Sequence, residues 1–305
     1  MKRWIGLIFL LGMMFLLAGC QTAPVENTAT LTILEQKTQL TSTPFLPETP
    51  TPTIHPTVTA KPSEMPTMTP TEVGCQTPQG KVIDSEVQAV GFSAPLEFKL
   101  YLPPCYETNA PQNGYPLLTL IHGQTFTSQQ WIQIGLDKRM DELINSGAIK
   151  PFVVVMPYES PAYSGGLQTA ILNDLIPYLH DQYLVCGGRA CNAIGGISRG
   201  GGWALSAVFK NTDFFVSLGL HSVPTTAGHL EIVRYGAAVA GTENLPRIWV
   251  DYGISDYWYA SERELIETFD YSGVNYEFTL NDGGHDNDYW SAHLEEYLRW
   301  YAAGW

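Results

Sequence analysis

Residues 192–210 read NAIGGISRGGGWALSAVFK. The β-like run 192–196 leads into Gly196-Ile197-Ser198-Arg199-Gly200, and the helix-like run 203–210 follows. A Gly-x-Ser-x-Gly turn between a strand and a helix is the setting of a nucleophile elbow. Glycines flank Ser198 because the turn is tight and a Cβ there would clash. Such a turn holds the serine Oγ out at the carboxyl edge of a sheet. The positive end of the following helix then lies near a developing oxyanion.

Outward from this stretch, short apolar runs alternate with longer amphipathic ones. Strands are expected at 96–102, 117–122, 152–157, 192–197, 214–221, 247–252 and 275–280. Several are apolar throughout, as in strands buried on both faces of a parallel sheet. Helices are expected at 128–146, 167–183, 202–210, 261–271 and 289–301, the second kinked at Pro177. The alternation predicts an α/β fold with a mostly parallel sheet and helices on both faces. No helix precedes residue 117, so the first strands are open to antiparallel pairing.

A serine hydroxyl needs a base. His285, in Asn281-Asp282-Gly283-Gly284-His285-Asp286, follows the last strand and precedes the final helix. His122 and His221 also end strands; His122 reads as a loop residue, and His221 as a possible pocket wall. The acid that orients the imidazole is expected at Asp256, in the loop after 247–252. Asp251 competes, but if Val250 and Tyr252 share one face it points to the other. Asp282, Asp286 and Asp288 are close to His285 only in sequence. The order Ser198, Asp256, His285 is that of α/β-hydrolases. The oxyanion hole needs the N–H of Arg199 and a second donor from Gln124 or Thr125, after Gly123. Trp203, Tyr158 and Trp258 lie near strand ends or the elbow and are candidates for stacking on a sugar or phenolic acyl group.

Taken together, Leu118-Thr119-Leu120-Ile121-His122-Gly123 with Trp131, Gly196 to Gly201, Tyr252-Gly253-Ile254-Ser255-Asp256, and Gly284-His285-Asp286 with Trp290 resemble a known esterase family. Its members include esterase D, feruloyl and acetylxylan esterases, enterochelin esterases and mycolyl transferases. The resemblance spans about 90–305. It implies an α/β-hydrolase fold and a serine carboxylic-ester hydrolase without cofactor, with Ser198, Asp256 and His285 as its triad. Arg199 departs from the family, which often has Met there. Acyl transfer on the same triad, and a binding module that kept the fold, are the competing readings.

The ends carry an address. Lys2 and Arg3 precede the apolar run 4–17, and Leu17-Ala18-Gly19-Cys20 closes it. The run is too short for a comfortable bilayer span. It resembles a lipoprotein signal, which implies cleavage before Cys20 and lipid attachment to its thiol. Residues 41–72 hold eight Pro and ten Thr with few large apolar side chains. Residues 21–72 therefore read as a disordered, semi-rigid linker. This leaves 73–305 as one hydrolase domain, held outside the cytoplasm on a membrane. Its cysteines suit export. Cys186–Cys191 is the favoured disulfide, leaving Cys75–Cys105; a zinc site is weak, since no Cys-x-x-Cys occurs.

The 305 residues carry 16 Lys and Arg against 30 Asp and Glu, a net charge of −14. That balance argues against nucleic acid as a partner. No dinucleotide fingerprint, phosphate loop, zinc helix or EF-hand spacing is present, so no cofactor or metal is expected.

Overall fold

The apolar runs become neighbouring strands of a single sheet. The computed structural model describes residues 77–163 and 165–305. Residues 1–20, the 21–72 linker, Cys20 and Cys75 lie outside the described residues. The strands are β1 Lys81–Val87, β2 Leu96–Leu102, β3 Leu117–Ile121, β4 Val153–Pro157, β5 Asn192–Ile197, β6 Ser217–His221, β7 Arg247–Gly253 and β8 Glu277–Asn281. Their order is β1-β2-β4-β3-β5-β6-β7-β8. The first three strands in this order pair antiparallel and all later pairs are parallel. This is the α/β-hydrolase fold.

Eight α-helices cover the sheet among the described residues: α1 Gln130–Gln133, α2 Leu136–Asn145, α3 Leu167–Ala170, α4 Ile176–Gln182, α5 Arg199–Lys210, α6 Ala227–Ala240, α7 Tyr259–Ser272 and α8 Asn287–Ala302. Strands β3 to β6 are buried throughout, and alternate side chains feed two apolar clusters. Ile194, Val153 and Val250 join the cluster under α3 to α7. Leu118, Val154 and Trp249 join the cluster under α1, α2 and α8. Two buried faces explain why these strands read as unbroken apolar runs.

The fold departs from expectation at four places. The run 128–146 is two helices, because Gly135 sits at φ 98° between α1 and α2. The run 167–183 is α3, a wide π turn at Ile171–Leu175, and α4. Pro177 cannot donate an N–H and crowds the carbonyl four residues back, so the widened turn relieves the ladder just before it. Strand β1 and helix α6 were not expected. β1 is a half-exposed edge strand of mixed polarity, and the α6 sequence is interrupted by Gly228 and Gly236. Gly236 is fixed by packing, since a Cβ there would strike the Phe209 carbonyl.

Candidate active site

The site lies along the carboxyl ends of β3, β5, β7 and β8. Ser198 joins β5 to α5 at φ 53°, ψ −123°, a positive-φ conformation that non-glycine residues rarely hold. Its own N–H donates to the His221 carbonyl at 2.8 Å. A Cβ at Gly196 would lie against the Gly200 backbone, and one at Gly200 against the Ile121 and His122 carbonyls. The motif glycines are therefore there for backbone approach.

Three distant side chains meet here. His285 Nε2 lies 2.8 Å from Ser198 Oγ. His285 Nδ1 lies 2.7 Å from Asp256 Oδ2. The other oxygen of Asp256, Oδ1, accepts the Trp258 N–H at 2.8 Å. With Nδ1–H donating to the carboxylate, Nε2 is the free acceptor for the serine proton. Ser198 and Asp256 are buried, at 8% and 4% exposure, and the His285 ring is nearly covered. The loops that carry the acid and the base are laced together: Ile254 N–H donates to the Asn281 carbonyl and Ser255 N–H to the Gly283 carbonyl. Asp286 caps α8 by accepting the Tyr289 N–H at 2.9 Å, which fixes the far side of the His285 loop.

The loop after β3 faces Ser198 from the opposite side. Gly123 N–H is committed to Gln130 Oε1 at 2.7 Å, so it is not a free donor. Gln124 and Thr125 both line the cleft beside Arg199. Thr125 is held at φ 69°.

Two arms of the cleft meet at this loop. One, of about 370 Å³, is walled by Pro224, Tyr257, Trp258, His285 and Trp290. The other, of about 540 Å³, is walled by His122, Tyr158, Glu159, Ser160 and Arg199. Trp258 and Tyr158 thus line the cleft. Trp203 does not. It lies one turn down α5 from Arg199, ~6 Å along the axis, and packs against the apolar core. Arg199 is ion-paired with the nearly buried Glu159 while its own side chain stays partly exposed.

Neither competing histidine joins the reacting set. His122 accepts the Glu159 N–H at Nε2, 2.9 Å away, and stacks on Tyr158. His221 is fully buried, so it is not a pocket wall. Its Nδ1 pairs with Asp251 Oδ1 at 2.6 Å. Asp251 does point away from Val250 and Tyr252, and accepts the hydroxyls of Tyr289 and Tyr297 on α8. Asp256, Glu262 and His285 each place one polar atom within 4.8 Å of the others. Two of the three already bond to each other, which is the geometry of an acid–base relay rather than of a metal cage. Cys186–Cys191 is bridged, with Cα atoms 5.7 Å apart. The Cys75 half of the other expected bridge is outside the described residues.

Sequence reading missed Gln130, Tyr257, Glu159 and Glu262. A lone polar residue on a helix or in a loop carries no spacing signal; Gln130, Glu159 and Glu262 matter because their side chains are buried, and the exposed Tyr257 because its ring contacts His285.

The family model described as "Putative esterase" matches residues 91–301. An endo-1,4-beta-xylanase/feruloyl esterase of Xylanibacter ruminicola is 32% identical over 136 residues, which is 40% of this chain and 19% of that protein. The chain thus spans about a fifth of that relative's length. A ferulic acid esterase structure aligns with TM-score 0.67 at 23% identity, over 75% of this chain and all of the other. An S-formylglutathione hydrolase of Staphylococcus aureus aligns with TM-score 0.60 at 18% identity, over 72% of this chain and 98% of the other. The family match runs through the elbow, the acid loop and the His285 loop alike, so the chain belongs to the "Putative esterase" family.

Proposed function

We propose that this chain is a serine carboxylic-ester hydrolase working through an acyl-enzyme. The observation that carries the reading is the unbroken relay from Ser198 Oγ through His285 to Asp256, at 2.8 and 2.7 Å. His285 Nε2 takes the Ser198 proton as Oγ bonds to the ester carbonyl carbon. Charge then develops on the carbonyl oxygen, where the Arg199 N–H and a Gln124 or Thr125 N–H stabilise it. Collapse breaks the C–O bond, and the departing alcohol takes the proton back from His285. Water repeats the sequence on the acyl-enzyme and releases the acid. Asp256 holds the ring tautomer and balances the imidazolium.

The aromatic arm at Trp258 and Trp290 suits a flat acyl group, and the polar arm at Glu159 and Arg199 suits a hydroxyl-rich alcohol. With the feruloyl esterase relatives, this supports aryl-substituted acyl esters of carbohydrate as the substrate class. Siderophore esters as substrates, and acyl transfer to a sugar or lipid acceptor, are the alternative readings. The apolar run 4–17 that ends in Leu17-Ala18-Gly19-Cys20 supports export and lipid attachment at Cys20.

Purified enzyme should hydrolyse methyl ferulate faster than methyl butyrate. Ser198→Ala should lower kcat/KM by about 10⁴-fold or more and abolish labelling by a fluorophosphonate. Unchanged turnover in that variant rejects the assignment. Equal rates on the two esters reject the acyl preference alone. Cys20→Ser should move the protein from membrane to soluble fractions of expressing cells, and an unmoved protein rejects the anchor.

A further inference from the structure

A second carboxyl lies beside Asp256, and the reaction above does not use it. Glu262, in the first turn of α7, is 1% exposed. No N–H or other fixed donor among the described residues reaches either of its oxygens. A buried carboxylate without a partner is costly, whereas a neutral acid is not. Its surroundings favour the neutral form. Asp256 lies in the loop before α7, Asp251 and Tyr252 are on β7, Tyr289 is on α8, and His285 is in the loop before α8. The adjacent Arg263 is turned outward and paired with Glu267. Burial first, and the neighbouring Asp256 carboxylate second, push Glu262 up to about 9. At neutral pH it is therefore an O–H donor, and Asp256 is the acid that this O–H can reach. Asp256 has room for it: each carboxylate oxygen accepts one known donor and keeps a further lone pair.

We propose that Glu262 is a positioning residue for the triad, its neutral carboxyl presenting a proton to Asp256 and keeping that carboxylate aimed at His285 Nδ1. The inference rests on the assignment of Ser198, His285 and Asp256 as the reacting set. It has a direct consequence. Once Glu262 ionises, the donor is gone and two carboxylates repel each other beside the imidazole. The enzyme then carries an alkaline limit that none of the triad groups sets.

The test is the pH profile of kcat/KM on p-nitrophenyl acetate from pH 6 to 10.5, for wild type, Glu262→Gln and Glu262→Ala. Ser198→Ala supplies the background rate. Wild type should fall about tenfold across the alkaline limb. Glu262→Gln keeps an N–H donor at every pH, so it should stay within about threefold of wild type at pH 7.5 and lose the limb. Glu262→Ala should lose about tenfold in kcat at pH 7.5 with KM little changed. The downfield proton resonance of His285 Nδ1–H should shift in Glu262→Ala and hold in Glu262→Gln. The inference is overturned by a wild type without the limb, by a Gln variant that keeps it, by a Gln variant as slow as the Ala variant, or by an Ala variant as fast as wild type. Ser198→Ala matching wild type would instead remove the triad assignment, so the two failures are distinguishable.

Discussion

The imidazole of His285 is fixed by more than its two hydrogen bonds. The Trp290 ring stands edge-on to it at 5.2 Å, and Tyr257 covers it at 4.9 Å. Trp290 is itself pinned by Nε1–H donating to Ser222 Oγ at 3.1 Å. Gln130 does the same for the opposite wall. It is fully buried, accepts the Gly123 N–H, and donates to Asn287 Oδ1 at 3.0 Å, tying the oxyanion loop to the start of α8. Gln130→Ala should therefore strand a buried N–H and free the loop. We expect a stability loss of about 1–3 kcal/mol in urea unfolding, and a roughly tenfold fall in kcat that exceeds any change in KM. A variant with wild-type kcat would mean the loop holds its shape without the amide. The triad was legible because each member follows a strand with a turn chemistry of its own. Gln130 and Glu262 were not, because the helical segments around them look like any amphipathic helix until the packing is known.

At the level of elements, period-two alternation did most of the positioning. Val250 and Tyr252 face one layer, which sends Asp251 to the other and leaves the loop beyond β7 to supply the acid. That was readable from the sequence. What defeated the pattern were edges and breaks: β1, with its mixed polarity, and the helix interruptions at Gly135 and Pro177. The Cys186–Cys191 bridge belongs to the same scale. It closes a short loop at the amino end of β5, while Ser198 sits at the carboxyl end of the same strand. Loop-closure entropy for so short a ring gives about 2 kcal/mol. The double Ser variant should melt earlier and keep its kcat, because the strand between bridge and elbow is buried and paired on both sides. A drop in kcat at temperatures where the variant is fully folded would contradict this separation.

For the molecule as a whole, the acidic balance visible in the sequence says little about pH, because the groups that matter are buried. Burial lowers His122, His180 and His229 from their usual 6.5. Each binds its proton more weakly folded than unfolded, so their contribution is complete above 6.5 and is lost as pH falls below it. Glu262 works in the opposite sense. Its folded value of about 9 stands above the ordinary 4.5, so the folded protein holds a proton that the unfolded chain has released. Its contribution is complete below 4.5 and declines as pH rises towards 9, by at most about 1.4 kcal/mol per pH unit. Below 6.5 the two effects oppose each other; above it only Glu262 still acts. Urea midpoints measured from pH 5 to 9 should therefore peak near pH 6.5 and fall on the alkaline side. Glu262→Gln has no proton to lose, so its midpoint should stay level from pH 7 to 9 and overtake wild type there. An equal alkaline decline in both proteins would assign the loss to the general repulsion of a chain carrying net charge −14, and not to the acid beside Asp256.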